Sequence, residues 1–220
     1  ALDSTENYFK NRQKTNFNIK RLQLIKSHIK GNVLKNNLSR AVAFEELMKI
    51  ENQDNHEKFL KNFLLVNTSK LYLKEVLDLH NDIQNMSAGK ILPELKLQDH
   101  QLNTISTVKL IDKPTVFYFW SQTQMSHYKN TIIKVKDLEK RFPKYNFKGI
   151  CIQPFNEIVF EVHRMMNIDP ETQLAFTNFD KDSKKWVLSL LNRAIIVEAN
   201  REIKEGFANF SSIDFENLLY

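Results

Sequence analysis

Two residues of this chain could act as nucleophiles, and both lie beside strongly apolar segments. Ser121 directly follows the apolar run from Pro114 to Trp120, and Cys151, the sole cysteine, lies between Ile150 and Ile152. A serine nucleophile of the α/β-hydrolase kind needs a G-x-S-x-G turn with His and Asp partners, and the surroundings of Ser121 lack them. We therefore expect Ser121 to cap the next helix. We expect Cys151 to behave as a small buried hydrophobic residue with a raised pKa.

The residue types that bind metals and phosphates are not arranged for either task. The six histidines show no i, i+4 pair and no H-E-x-x-H motif. One cysteine can form neither a cysteine-based metal site nor an intrachain disulfide. The chain has only four glycines, and none of them belongs to a glycine-rich phosphate loop. The sequence therefore predicts no metal site and no cofactor.

Positive charge is concentrated at the start of the chain. The formal net charge is +6, and residues 1–40 alone contain six lysines and three arginines against two acidic residues. Such a segment could bind an anionic lipid surface or a nucleic acid. The basic residues alternate with apolar ones at helical spacing, however, which is typical of a solvated helix face. Binding to an anionic surface stays an alternative function, and no nucleic-acid partner is expected, since no nucleic-acid-binding motif accompanies the charge.

The hydrophobic pattern divides the chain into residues 1–88 and residues 89–220. In the first part apolar residues recur every three or four positions, which predicts helices throughout. In the second part short strands alternate with helices, and the β-α-β order makes the first two long strands parallel. The sequence thus predicts an α/β fold with an N-terminal all-helical extension. The main elements predicted in the second part are strands at Pro114–Trp120, Phe147–Gln153 and Ala194–Glu198, helices at about Ser126–Phe142, Glu157–Asn167 and Ser183–Leu191, a hairpin at each end, and a terminal helix at Ile213–Tyr220.

Three strings of the second part resemble the thioredoxin-like family, and within it the TlpA and ResA type of envelope thiol-disulfide proteins. GKILPELKLQDHQLNTIS resembles the first hairpin of that family, and KPTVFYFWSQTQ resembles the strand and turn that normally carry Cys-x-x-Cys. LLNRAIIVEANREI resembles the segment in which a cis-proline precedes an apolar strand. The helical first part is loosely similar to the N-terminal region of many members from the Bacteroidetes. The resemblance implies a thioredoxin-like α/β sandwich.

The resemblance also shows where this chain departs from the family. Trp120 matches the aromatic residue before the first cysteine, whereas Ser121 and Gln124 stand where the two cysteines would be. Disulfide exchange needs a thiolate and a resolving thiol, which a hydroxyl and an amide cannot replace. Asn192 stands where the family has its cis-proline. A cis peptide before a non-proline residue costs about 3 kcal/mol, so we expect the bond before Asn192 to be trans and no catalytic residue to remain.

The resemblance implies a redox-inactive binding or assembly module in the bacterial envelope or periplasm, with another envelope protein as partner. A signal segment or membrane anchor could precede Ala1, although the chain itself has no run of 18 or more apolar residues. The alternative is a TlpA-like thiol-disulfide oxidoreductase or antioxidant protein that uses Cys151 or a thiol of its partner. Trp120 is expected either in the core or in an apolar groove, and Arg193 is the expected charged anchor. The predicted contact surface comprises Trp120, Ser121, Gln122, Thr123, Gln124, Asn192 and Arg193.

Overall fold

A computed structural model describes residues 10, 11 and 13–220, without the side chains of residues 51 and 52. The start of the predicted helical region, residues 1–9, and residue 12 lie outside the described residues. The chain divides into two compact units, Ala1–Asn81 and Asp82–Tyr220. The domain boundary that the sequence places after residue 88 stays a prediction.

The first unit is helical where it is described, as the apolar spacing predicts. Its helices are α1 (Thr15–His28), α2 (Asn32–Leu47), α3 (His56–Leu64) and α4 (Lys70–Asn85), the last of which continues past Asn81. The apolar face of α1 contributes Leu22 to the core, whereas Lys20 and Lys26 are exposed. Arg40 of α2 forms an ion pair with Glu75 of α4 at 2.6 Å. Among the described residues, no helix is both long and apolar enough to cross a membrane.

The second unit is a mixed sheet with three helices. The strands are β1 (Lys96–Gln98), β2 (Thr104–Ser106), β3 (Thr115–Trp120), β4 (Asn146–Cys151), β5 (Gln173–Phe176), β6 (Arg193–Val197) and β7 (Ile203–Asn209). The helices are α5 (Met125–Arg141), α6 (Glu157–Met165) and α7 (Phe179–Asp182). The strand order is β2-β1-β5-β4-β3-β6-β7, in which β3, β4 and β5 are parallel to one another and the remaining pairs are antiparallel.

The two faces of the sheet have separate cores, because side chains alternate along each strand. Val116, Tyr118 and Trp120 of β3 join a core with α5, α6 and the C-terminal segment. On the opposite face Phe117 contacts Trp186, with ring centroids 5.3 Å apart. This arrangement confirms the predicted α/β fold and places the turn between β3 and α5 at the carboxyl end of a central strand.

Two predictions for the second unit are wrong in detail. The helix predicted at Ser183–Leu191 is only a 3-10 turn at Ser183–Trp186, which follows the short helix α7 and stops where Val187 takes a left-handed conformation with φ of 51°. The strand β5 has no counterpart among the predicted elements, because a run of four residues is too short to show periodicity. The predicted terminal helix at Ile213–Tyr220 is a 3-10 helix at Ile213–Leu219.

Candidate functional site

The turn after β3 lies beside the end of β4, where side chains from neighbouring parallel strands converge. The parallel register pairs Trp120 with Cys151, so Ser121 follows directly at the same edge of the sheet. Ser121 is only 2% exposed. Its Oγ accepts a hydrogen bond from the backbone N–H of Thr123 and caps the 3-10 turn Gln122–Gln124 that leads into α5. Ser121 therefore has a capping role, but it caps this 3-10 turn and not α5, whose own N-cap residue Gln124 makes no side-chain cap.

Neutral amide groups hold this turn in place. Gln153 Nε2 donates to Ser121 Oγ at 2.9 Å, and Gln153 Oε1 accepts from the backbone N–H of Gln122 at 3.1 Å. The side chain of Gln122 donates to the carbonyl of Pro154 and accepts from Asn156 Nδ2 at 2.7 Å. We call Ser121, Gln122, Gln153 and Asn156 the amide network. It satisfies the buried polar atoms of the turn without any ionisable group, so it offers neither a general base nor a redox centre.

Cys151 is buried under the amide network. The residue has no exposed surface, and its Sγ lies 3.7 Å from Gln122 Nε2 and 3.5 Å from Gln153 Oε1. Burial raises the pKa of the thiol, as the sequence predicts. The group is therefore protonated at neutral pH and covered from solvent, which are the properties of an unreactive cysteine.

Trp120 belongs to the core and not to an exposed groove. It has no exposed surface and stacks on Tyr128, with ring centroids 3.8 Å apart and planes inclined by 16°. His163 meets the same indole edge-on at 5.7 Å. Of the two environments considered from the sequence, the structure shows the core, because α5 and α6 both place aromatic rings against this strand end. Trp120 is therefore removed from the predicted contact surface.

Arg193 is also buried, which contradicts its predicted role as a charged anchor. The residue is 7% exposed, and its guanidinium donates to the backbone carbonyls of Trp186, Val187 and Gly206. The same group lies over the ring of Phe207 at 4.2 Å. Burial lowers its pKa to about 9, so the group stays protonated at neutral pH. With its donors used inside the protein, Arg193 joins the segment after α7 to the closing hairpin and cannot contact a partner.

Asn192 lies at the same end of the sheet as the turn. Tyr118 pairs with Ala194, so the antiparallel register carries Asn192 toward the level of Trp120. The described peptide bonds are all trans, which confirms the prediction for the bond before Asn192. The side-chain amide of Asn192 donates to Asn209 Oδ1 at 3.2 Å. The exposed or half-buried remainder of the predicted contact surface, here named the turn surface, comprises Gln122, Thr123, Gln124 and Asn192.

A second polar network, in the core beneath the turn, was not found from the sequence. Tyr128 Oη donates to Gln173 Oε1 at 3.2 Å and lies 2.9 Å from His163 Nε2, and Gln173 Nε2 donates to Tyr118 Oη at 2.8 Å. Burial raises the pKa of both tyrosines and lowers the pKa of His163 to about 4. These four side chains are therefore neutral at pH 7, and we call them the core network.

One feature of the sequence could have indicated the core network. Gly149 interrupts the apolar strand β4, and a glycine within a strand often marks the close approach of another group. A Cβ atom at Gly149 would lie 2.3 Å from Gln173 Oε1 and 2.7 Å from the phenol of Tyr118. The glycine therefore makes room for the glutamine that links the two tyrosines.

No family model matches the chain, and no curated protein matches it. Similar solved structures include the thioredoxin domain of a thiol-disulfide oxidoreductase from Bacteroides vulgatus, with 16% identity over 53% of this chain and 85% of that chain and a TM-score of 0.44. A thiol:disulfide interchange protein from Bacteroides sp. has 15% identity over 53% of this chain and 78% of that chain, with a TM-score of 0.44. A thiol peroxidase from Chromobacterium violaceum has 14% identity over 60% of this chain and 83% of that chain, with a TM-score of 0.49. At this level of similarity the activities in those names do not transfer to this chain.

The topology itself identifies the fold. A β-α-β unit, β3-α5-β4, supplies the central parallel strands, and an antiparallel hairpin, β6-β7, continues the sheet from β3. An additional strand, β5, follows α6 on the other side, and the first hairpin adds to it. The second unit therefore has a thioredoxin-like α/β fold.

Proposed function

We propose that this chain is a redox-inactive binding or assembly module that acts in the bacterial envelope. One observation carries the proposal: the turn that presents a pair of thiols in redox-active domains of this fold is here fixed by Ser121 and neutral amides, with Gln124 at the second position. Thiol exchange cannot proceed without a thiolate. What the turn offers instead is a rigid, uncharged surface at the carboxyl end of the sheet.

The turn surface has the chemistry of a polar docking site. Thr123 and Gln124 are exposed, and the amide network holds the adjacent Gln122 in one orientation. Hydroxyl and amide groups can both donate and accept hydrogen bonds, so they suit the backbone or polar side chains of a protein partner. Because the supporting groups are already ordered, docking would require little further loss of conformational entropy.

Thiol chemistry through Cys151 is the second candidate function. Cys151 lies at the end of β4, directly beside the turn, and the side chain of Gln122 covers its sulfur. Displacement of Gln122 by a partner would expose the thiol. As a thiolate it could then attack a disulfide of that partner, which forms a mixed disulfide and releases the second sulfur of the partner as a thiolate. The names of the similar solved structures favour this candidate, whereas the burial and raised pKa of Cys151 oppose it.

An insulin-disulfide reduction assay separates the two candidates. The wild type is expected to match the buffer blank, and Cys151→Ser is expected to change nothing. The double variant Ser121→Cys, Gln124→Cys tests whether the turn can still present thiols, and we expect it to gain only weak activity, because Gln153 Oε1 still places an acceptor at the turn. Wild-type reduction above the blank that disappears in Cys151→Ser would establish the second candidate and end the first.

A cross-linked pull-down from an envelope fraction tests the turn surface. Gln124→Arg places a long charged side chain on that surface, and Asn130→Arg makes the same change at an exposed position further along α5. We expect a partner that is recovered by the wild type and by Asn130→Arg but is lost with Gln124→Arg. Equal recovery by all three proteins would exclude the turn surface as the contact.

A further inference from the structure

One end of the helical unit is formed by two loops that lie side by side. Residues 29–31 join α1 to α2, and residues 65–69 join α3 to α4. The side chain of Asn36, in the second turn of α2, donates to Thr68 Oγ1 at 3.2 Å and accepts from the backbone N–H of Thr68 at 2.9 Å. Because both loops are short, the last turns of α1 and α3 and the first turns of α2 and α4 meet at this end.

Five apolar side chains at this end face solvent. They belong to the first turn of α2, the carboxyl end of α3, the loop that follows it and the first turn of α4: Val33, Leu34, Leu64, Leu65 and Leu71. The least exposed is Leu64 at 47%, and the most exposed is Val33 at 77%. Single exposed aliphatic residues are ordinary on a protein surface, whereas a group of them in one place marks contact with a partner or a membrane.

The same end carries positive charge without acidic residues to balance it. Neither residues 22–44 nor residues 58–74 include an aspartate or a glutamate. Five lysines lie near the two loops, and their ammonium groups have no hydrogen-bond or ion-pair partner among the described residues: Lys26, Lys30, Lys35, Lys61 and Lys70. We call residues 26–35 together with residues 61–71 the basic end. Its uniform charge attracts an anionic partner.

The combination of lysines with exposed aliphatic side chains specifies the partner. Nucleic acid would satisfy the lysines only, because its accessible backbone is polar and charged. An anionic bilayer satisfies both, since its headgroups attract basic residues and its acyl region takes up apolar side chains. Lysine suits such a boundary, because its carbon stem can lie along apolar surface while its ammonium group stays at the headgroups.

We propose that the basic end docks on an anionic phospholipid surface. The side chains of Val33, Leu65 and Leu71 enter the boundary between headgroups and acyl chains, and the surrounding lysines bind lipid phosphates. The contact is peripheral and reversible, because each lysine near an anionic surface strengthens binding only about fivefold. The basic end shares no residue with the turn surface, and the proposal does not depend on the function proposed for that surface.

Vesicle sedimentation with the full chain tests the proposal. The two probes are vesicles of phosphatidylcholine alone and vesicles of an equal mixture of phosphatidylcholine and phosphatidylglycerol. We expect the wild type to sediment with the anionic vesicles and to be released as the salt concentration rises, because salt screens the lysines. Binding to neither kind of vesicle, or equal binding to both, would overturn the proposal.

Two variants with equal changes of charge locate the contact. Lys30→Gln with Lys70→Gln removes two charges from the basic end and is expected to weaken binding to the anionic vesicles by about tenfold or more. Lys129→Gln with Lys140→Gln removes two charges from exposed positions on α5 and is expected to bind like the wild type. Equal losses in the two variants would mean that net charge alone attracts the protein, and would exclude the basic end as the docking site.

Two further variants test the insertion of apolar side chains. Leu65→Gln with Leu71→Gln keeps every charge and is expected to weaken binding by about tenfold or more. Ile133→Gln with Ile158→Gln changes two side chains of the second unit that are about as exposed, and it is expected to have no effect. All four variants alter exposed positions, and circular dichroism checks that each one folds. Wild-type binding by the leucine variant would reduce the basic end to a general anion site and overturn the bilayer as its partner.

Discussion

The buried neutral histidine should make the second unit lose stability as the pH falls. His163 titrates near its ordinary pKa of 6.5 in the unfolded chain but only at about 4 in the folded one, because burial disfavours the charged ring. The contribution of the neutral His163 ring to the free energy of unfolding is therefore fully present above about pH 6.5. It is lost as the pH falls toward 4, because the unfolded chain binds the proton before the folded one does. The difference between these two pKa values lowers the free energy of unfolding by at most about 2 kcal/mol at pH 5, and by less where solvent screens the ring.

The assay is urea unfolding followed by tryptophan fluorescence at several pH values. Both tryptophans, Trp120 and Trp186, belong to the second unit, so the signal reports the unfolding of that unit. Burial also lowers the pKa of His56 and of His80 in the helical unit, and a comparison with a variant at His163 cancels their effect because both proteins contain them. His163→Gln keeps a donor for Tyr128 and removes the titrating ring. We expect the free energy of unfolding to fall with pH more steeply in the wild type than in the variant. Equal slopes, or a wild-type imidazole that titrates near pH 6.5 by NMR, would refute the reasoning.

Three further predictions concern other buried groups. Arg193→Met removes a guanidinium that donates to three backbone carbonyls, and it should cost at least about 3 kcal/mol of unfolding free energy in urea titrations; an unchanged midpoint would contradict this role. Gly206→Ala would put a Cβ 1.9 Å from the carbonyl oxygen of Met86 and should cost about 2 kcal/mol or more, whereas Gly31→Ala, with no atom within 4 Å, should change stability by less than about 1 kcal/mol. Native Cys151 should react slowly with a thiol reagent until denaturant is added, and fast labelling of the folded protein would favour the thiol-handling candidate.

The elements that present the turn could be predicted because their patterns are long and regular. The apolar run that became β3 is uninterrupted, and α5 repeats its apolar residues over 17 positions. The four-residue strand β5 gave no such pattern, and its Gln173 looked like an ordinary polar residue. Its role in the core network depends on Tyr118 and Tyr128, which come from distant parts of the sequence. Hydrophobic periodicity depends on the residues that are close in sequence. It does not indicate which distant residues the fold places in contact.

The two corrected site residues show the same dependence on topology. An aromatic residue at the end of a strand can face solvent or the core, and only the packing of Tyr128 and His163 decides this for Trp120. Arg193 begins an apolar strand, where an exposed charge is the ordinary expectation. Its burial requires backbone carbonyls from two other segments, and nothing in the sequence around Arg193 indicates that they will be there.

The proposal of a redox-inactive unit rests on more than the residues Ser121 and Gln124. Gln153 donates a hydrogen bond to the hydroxyl of Ser121 and accepts one from the backbone N–H of Gln122. The side chain of Gln122 covers the thiol of Cys151. A thiolate is stabilised by hydrogen-bond donors or by positive charge. Gln153 Oε1, which lies beside Cys151 Sγ, is instead a hydrogen-bond acceptor. Ser121 is buried and its hydroxyl is paired with Gln153, so breaking that bond would leave a buried polar atom unsatisfied. The turn is therefore better suited to hold one shape against a partner than to alternate between oxidised and reduced states.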